Sequence, residues 1–160
     1  MMRIFLKTFM IASLWPLISC QSANQSPCEP STVTTQALDD EIARLKQYID
    51  SRRIKASIDK RGFYYTIQKP GNGDKPTICS NVSVNYEGKL TNGTRFDSGH
   101  DVRFGLSQLI VGWQEGIPMI APGGRITLYL PPSLAYGSQE QGNIPANSIL
   151  IFQIDLLKIN

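Results

Sequence analysis

Beyond Gly62 the apolar residues fall into a period of two. Phe63, Tyr65 and Ile67 alternate with Tyr64, Thr66 and Gln68. Val82, Val84 and Tyr86 alternate with Ser83, Asn85 and Glu87, and Ile126, Leu128 and Leu130 with Arg125, Thr127 and Tyr129. Successive side chains of a strand point to opposite faces, so each run predicts a strand with one buried face. Pro70-Gly71-Asn72-Gly73 is a turn signal between two of them. The last run, Ser148 to Ile159, is in part apolar on both sides and predicts a central strand. Between these runs, Ser107 to Ile117 reads as a short helix. Ser107 stands as its N-cap, Ile110, Trp113 and Ile117 share a face, and Pro118 stops it. One short helix among several strands implies an α+β fold, an antiparallel sheet curled around that helix.

The first third of the chain obeys other rules. Leu38, Ile42, Leu45 and Ile49 recur at helical steps and predict an amphipathic helix. Asp39, Asp40 and Glu41 in its first turn and Arg52, Arg53 and Lys55 near its end suit the helix dipole. Such a helix can pack on the domain, form a dimer seam or act as a spacer; the expectation is a spacer that packs. Residues 21–36 are polar, contain two prolines and predict a flexible tether. Arg3 and Lys7 precede an apolar run from Thr8 to Ile18, about half of the ~20 residues a spanning helix needs, which reads as a signal-peptide core. The expected division is therefore a signal peptide over 1–19, a tether over 20–36, a helical lead-in over 37–60 and a folded domain over 61–160.

Leu17-Ile18-Ser19-Cys20 resembles the bacterial lipobox. The resemblance implies that Cys20 becomes the first mature residue and carries lipids on its thiol and amine. The alternative is an ordinary secretory signal with an incidental cysteine. Each buried acyl methylene contributes roughly 0.8 kcal/mol, so two or three chains anchor a protein firmly. The domain would then sit in the bacterial cell envelope. Gln21, where an aspartate would favour inner-membrane retention, favours the outer membrane, facing the periplasm or the surface.

Composition excludes several classes. The chain carries 16 basic and 13 acidic residues, a formal charge of +3. Loss of the first nineteen residues removes Arg3 and Lys7 and leaves near neutrality, which does not suit a nucleic-acid partner. One histidine and three scattered cysteines form no metal-ligand pattern, and no cofactor motif is present. His100, between Gly99 and Asp101, is expected in a surface loop. Cys28 and Cys79 remain after lipidation; an oxidising compartment permits a disulfide that staples tether to domain, and two free thiols are the alternative.

The aromatic residues come in a distinctive order: Tyr86-Glu87-Gly88, Thr94-Arg95-Phe96-Asp97-Ser98, Ile110-Val111-Gly112-Trp113, Leu134-Ala135-Tyr136-Gly137 and Ile144-Pro145. In order and spacing they resemble the FKBP-type peptidyl-prolyl cis-trans isomerases, over about residues 61–160. The resemblance implies a five- or six-stranded antiparallel sheet around a short helix, preceded here by the amphipathic helix. It further implies a hydrophobic cleft that takes a substrate proline. Trp113 would be the floor, with Tyr86, Phe96, Phe152 and Ile110 as walls, Leu109 at the edge and Ile144 at the rim. Tyr136 would offer its hydroxyl, and Ile110 its backbone N–H, to the substrate, and Asp97 would lie beside the reacting amide. Gly112 and Gly116 would keep the helix slim and the indole face open, whereas a tryptophan of plain core would have its N–H satisfied and no open face.

Two departures from better-known members bear on the cleft. Glu140-Gln141-Gly142-Asn143 replaces a loop that often holds a histidine and an extra isoleucine, and Val102 stands where a wall phenylalanine is common. A cleft shallower on that side is expected. The implied activity is rotation of X-Pro bonds in exported polypeptides, with proline-containing chains as substrates and macrolide inhibitors as further ligands of the cleft. The alternatives are a proline-segment-binding chaperone module with little catalysis and a structural envelope lipoprotein.

Overall fold

The computed structural model describes residues 34–160. The signal segment, Cys20, Cys28 and most of the expected tether lie outside the described residues. Six strands form one antiparallel sheet in the order β1-β2-β5-β6-β3-β4. They are β1 (Ser57–Ile58), β2 (Tyr64–Lys69), β3 (Asn81–Leu90), β4 (Arg95–Gly105), β5 (Arg125–Leu130) and β6 (Leu150–Ile159). Two helices accompany them, α1 (Asp39–Ser51) and α2 (Val111–Gly116). The expected α+β architecture is present, and the doubly apolar last strand is central, flanked by β5 and β3. No described helix is long and apolar enough to cross a membrane.

Register sorts the side chains onto two faces. Tyr65, Leu128 and Phe152 stand in one row across β2, β5 and β6, and Ile126, Ile154 and Tyr86 in another across β5, β6 and β3. These rows meet α2, and Trp113 and Ile117 join Val82, Val84, Leu128, Phe152 and Ile154 in the main core. The alternate row, Tyr64, Tyr129 and Ile151, points the other way. There Leu45 and Ile49 of α1 cover it and form a second, smaller core. Helix α1 therefore packs on the domain. Leu38, at its N-cap position, stays 59% exposed.

Three local expectations need correcting. Ser107 caps nothing: residues 106–108 form a 3-10 turn, Leu109 and Ile110 are extended, and α2 starts at Val111 with Ile110 as N-cap. The glycines of α2 serve the sheet and not the indole. A Cβ on Gly112 would lie 2.4 Å from both Leu130 methyls, and one on Gly116 2.6 Å from those of Leu128. Their absence lets α2 lie directly on β5. The basic residues expected near the end of α1 lie past it, since the helix stops at Ser51 and its last turn holds none, while Glu41 keeps its first-turn place but is only 5% exposed and faces Ser133.

His100 also departs from expectation, because the segment expected as a loop is part of β4. The residue is exposed and lines a polar groove with Arg125 and Asp155, which pair across β5 and β6. The strand pattern was hidden by two register shifts against β3, between Val84 and Tyr86 and between Gly88 and Lys89. Asp101 adopts φ +47°, and its N–H donates to the Asn85 side-chain oxygen at 2.9 Å. Cys79, in the turn before β3, is disulfide-bonded; the other two cysteines lie outside the described residues.

Candidate active site

Between α2 and the sheet the main core leaves a cavity of about 140 Å³. An apolar cavity of about 150 Å³ holds a benzene ring, so this one fits a five-membered ring. The sheet contributes Tyr86 from β3, Asp97 and Phe104 from β4 and Phe152 from β6. The other side comes from Leu109, Ile110 and Trp113, and Tyr136 closes one end. Trp113 is 4% exposed, yet it lines the opening. Tyr86, Phe104 and Phe152 stand nearly perpendicular to its indole, with centroids 5.2, 5.8 and 5.2 Å away. Edge-to-face pairs of this kind add about 0.5–1.5 kcal/mol each beyond burial, so the rings hold one another upright around the floor. The indole N–H is buried and has no hydrogen-bond partner. A plain core tryptophan would have one.

The structure thus gathers Tyr86, Asp97, Leu109, Ile110, Trp113, Tyr136 and Phe152 around one opening. Two expected members stand behind it. Phe96 buttresses Phe152 edge-on at 5.5 Å, outside the lining. Ile144 is buried in the main core and does not form the rim. Its backbone closes the replaced loop instead, exchanging two hydrogen bonds with Gln141 at 2.9 and 3.0 Å. Phe104, which none of the aromatic motifs includes, also lines the opening. It gives the cleft a third aromatic side, beside Tyr86 and Phe152, while Val102 is not part of the lining. The available signal was its place opposite Val82, a core residue, two positions after Val102.

The polar groups are few and placed at one end. The Tyr86 hydroxyl donates to Asp97 Oδ2 at 2.8 Å, and Asp97 Oδ1 accepts the Ser98 N–H at 2.8 Å. Burial first, and the hydrogen bond to Asp97 second, push the Tyr86 hydroxyl up to about 12. Burial and then the Asp97 charge also raise Tyr136. Both phenols are therefore neutral donors at neutral pH. Ile110 gives its carbonyl to the N–H groups of Trp113 and Gln114, while its own N–H stands ahead of the helix. Among the described residues no cluster of three His, Cys, Asp or Glu could hold a metal. The arrangement can enclose an apolar ring, hold an adjoining carbonyl and exert a negative field beside it.

Comparison with known proteins bears on what ring that is. Residues 73–157 match the sequence pattern of the family described as FKBP-type peptidyl-prolyl cis-trans isomerase. FkpA of Aeromonas hydrophila is 43% identical over 120 residues, which cover 71% of this chain and 45% of that protein. The crystal structure of FkpA from Escherichia coli superposes with a TM-score of 0.69 at 35% identity, covering 76% of this chain and 60% of that one. A peptidyl-prolyl cis-trans isomerase from Pseudomonas syringae superposes at 0.67 with 27% identity, covering 79% of this chain and 98% of that one. The chain spans less than half the length of several curated relatives it matches, 41–45%. The matched pattern takes in the cleft from Tyr86 to Phe152, and with the sheet and helix around that cleft it assigns the chain to the FKBP-type peptidyl-prolyl cis-trans isomerase family.

Proposed function

We propose that this protein accelerates cis-trans rotation of X-Pro bonds in exported polypeptides, from a lipid anchor at Cys20 in the bacterial cell envelope. The observation that carries the reading is the proline-sized opening over Trp113, walled by three rings and edged by Asp97 and Tyr136.

Amide resonance sets a barrier of ~18–20 kcal/mol to this rotation, and the uncatalysed step takes tens to hundreds of seconds. Midway through the turn, conjugation is broken, the carbonyl oxygen has lost negative charge and the nitrogen holds a lone pair. No covalent bond forms to the protein, so the chemistry needs no nucleophile or cofactor. The requirement is a site that binds the twisted amide better than the planar one. Aromatic walls leave the planar amide's larger dipole poorly solvated. Tyr136 and the Ile110 N–H hold the chain on either side of the ring. Asp97, already engaged by Tyr86 and Ser98, orients the Tyr86 ring and sets the local field; it is not a proton acceptor. The macrolides that bind the family's cleft are expected to compete with the peptide.

A protease-coupled isomerisation assay on the full chain tests the proposal. Trp113→Ala is expected to lower kcat/KM more than tenfold, equivalent to about 1.4 kcal/mol or more of transition-state binding. Asp97→Val should lose nearly as much, and Tyr136→Phe a few-fold. Equal rates in wild type and all three variants would leave only a binding or structural role. The anchor has its own test: incorporation of labelled palmitate is expected in the wild type and should vanish in Cys20→Ser.

A further inference from the structure

We propose that Glu41 of α1 is a positioning residue for the cleft, because its carboxylate holds the turn that delivers Tyr136. The inference rests on the isomerase reading above but concerns an element outside the cleft.

Glu41 is the one buried carboxylate among the described residues. A carboxylate removed from water is strongly disfavoured unless hydrogen bonds replace the lost solvation. Its Oε2 accepts both the backbone N–H of Ser133, at 3.1 Å, and the Ser133 hydroxyl. Charge-assisted bonds of this kind are roughly twice as strong as neutral ones. The partner lies 92 residues away in sequence, so the contact is a tertiary tether and not a local cap.

Ser133 sits in the middle of a 3-10 turn, Pro132–Leu134. The Pro132 carbonyl then accepts two N–H groups, from Ala135 at 2.9 Å and Gly137 at 2.8 Å. Tyr136 is the residue between those two donors. Its ring leaves a turn closed on itself, and that turn is fixed from outside by the Glu41 carboxylate at Ser133. No residue of α1 lines the cleft, and its apolar face covers the opposite side of the sheet. Tyr136 itself is 39% exposed, so packing alone constrains it weakly. Loss of the tether would let the turn drift and carry the hydroxyl off its target. Misplacement of a binding group by about 1 Å can lower a rate as much as a hundredfold.

The test combines a kcat-against-KM split with a double-mutant cycle in the full chain, read by the protease-coupled assay. Glu41→Ala is expected to lower kcat about two- to threefold, no more than Tyr136→Phe itself does, and leave KM within twofold. In a Tyr136→Phe background the same change should lower kcat no further, because the group it positions is already gone. Glu41→Gln keeps a carbonyl oxygen for both Ser133 donors and is expected to restore most of the rate. Should Glu41→Ala fold poorly, Ser133→Ala removes the hydroxyl donor alone and should cause about a twofold loss, again only when Tyr136 is present. An equal loss in both backgrounds, or a lowered melting temperature with unchanged kcat, overturns the proposal while the isomerase reading stands. A wild-type protein that accelerates nothing overturns both.

Discussion

The two faces of the sheet solve different problems. On the α2 face sixteen buried residues form a continuous core that stops short of closing over Trp113. On the α1 face four buried residues, Leu45, Ile49, Tyr64 and Tyr129, make a cluster that seals one helix against β2 and β5. The larger core has enough apolar area to leave a hole in itself and remain stable. The smaller one has none to spare, and it adds a carboxylate-to-serine tether at Glu41 and an outer ring contact, with the Arg52 guanidinium 5.7 Å above Tyr48. Ligand-sized voids belong where surrounding packing is deep enough to hold their walls in place.

Substitutions on the two faces are expected to separate these roles. Leu128→Ala removes a fully buried side chain between β2, β6 and α2, and should destabilise the whole domain by about 3–5 kcal/mol in chemical denaturation. Leu45→Ala on the opposite face should cost about 2–3 kcal/mol. Hydrogen exchange is expected to show α1 amides loosening before those of the sheet. Simultaneous loosening of β3 and β6 would mean that the two cores are one cooperative unit. Gly116→Ala should destabilise by about 1–2 kcal/mol, the overlap with Leu128 outweighing the ~1 kcal/mol that alanine offers a helix. A neutral or stabilised variant would show that α2 can lift off β5 freely.

The smallest expected effect is alkaline. Tyr86 is raised to about 12 against an unfolded value near 10, so above that value the unfolded chain loses its proton first. The native state then binds more protons, and its stability falls as pH rises from about 10 to 12. Below pH 10 the contribution is complete. Tyr129 on the α1 face is also raised, chiefly by burial, and adds to the same decline. Tyr86→Phe should shallow that slope in pH-dependent unfolding, and an unchanged slope would assign it to other groups.

The α+β class, the central position of the last strand and most of the cleft were legible in the sequence. Their signals are local: alternation at Val82 to Tyr86 and Ile126 to Leu130, and the ordered aromatic motifs. The misses share one physical cause, which is that they depend on pairing between distant segments. The β4 alternation is broken by two register shifts, so His100 reads as loop and Phe104 does not stand out. Glu41 looked like one of three first-turn acids, and nothing near it in sequence announces Ser133. Gly112 and Gly116 read as keeping the indole face open, because the leucines they make room for lie on another strand. Ile144 reads as rim from its motif, yet the Gln141 bridge turns it inward.

The irregular course of β4 has a consequence of its own. It is an edge strand eleven residues long, and a straight edge of that length is a template on which a foreign strand can crystallise. Two register shifts, a left-handed aspartate and the charges of Arg95, Asp101 and Arg103 spoil that template. Should the proposed clients arrive with unpaired strands of their own, a crooked margin beside the cleft would offer them little to pair with.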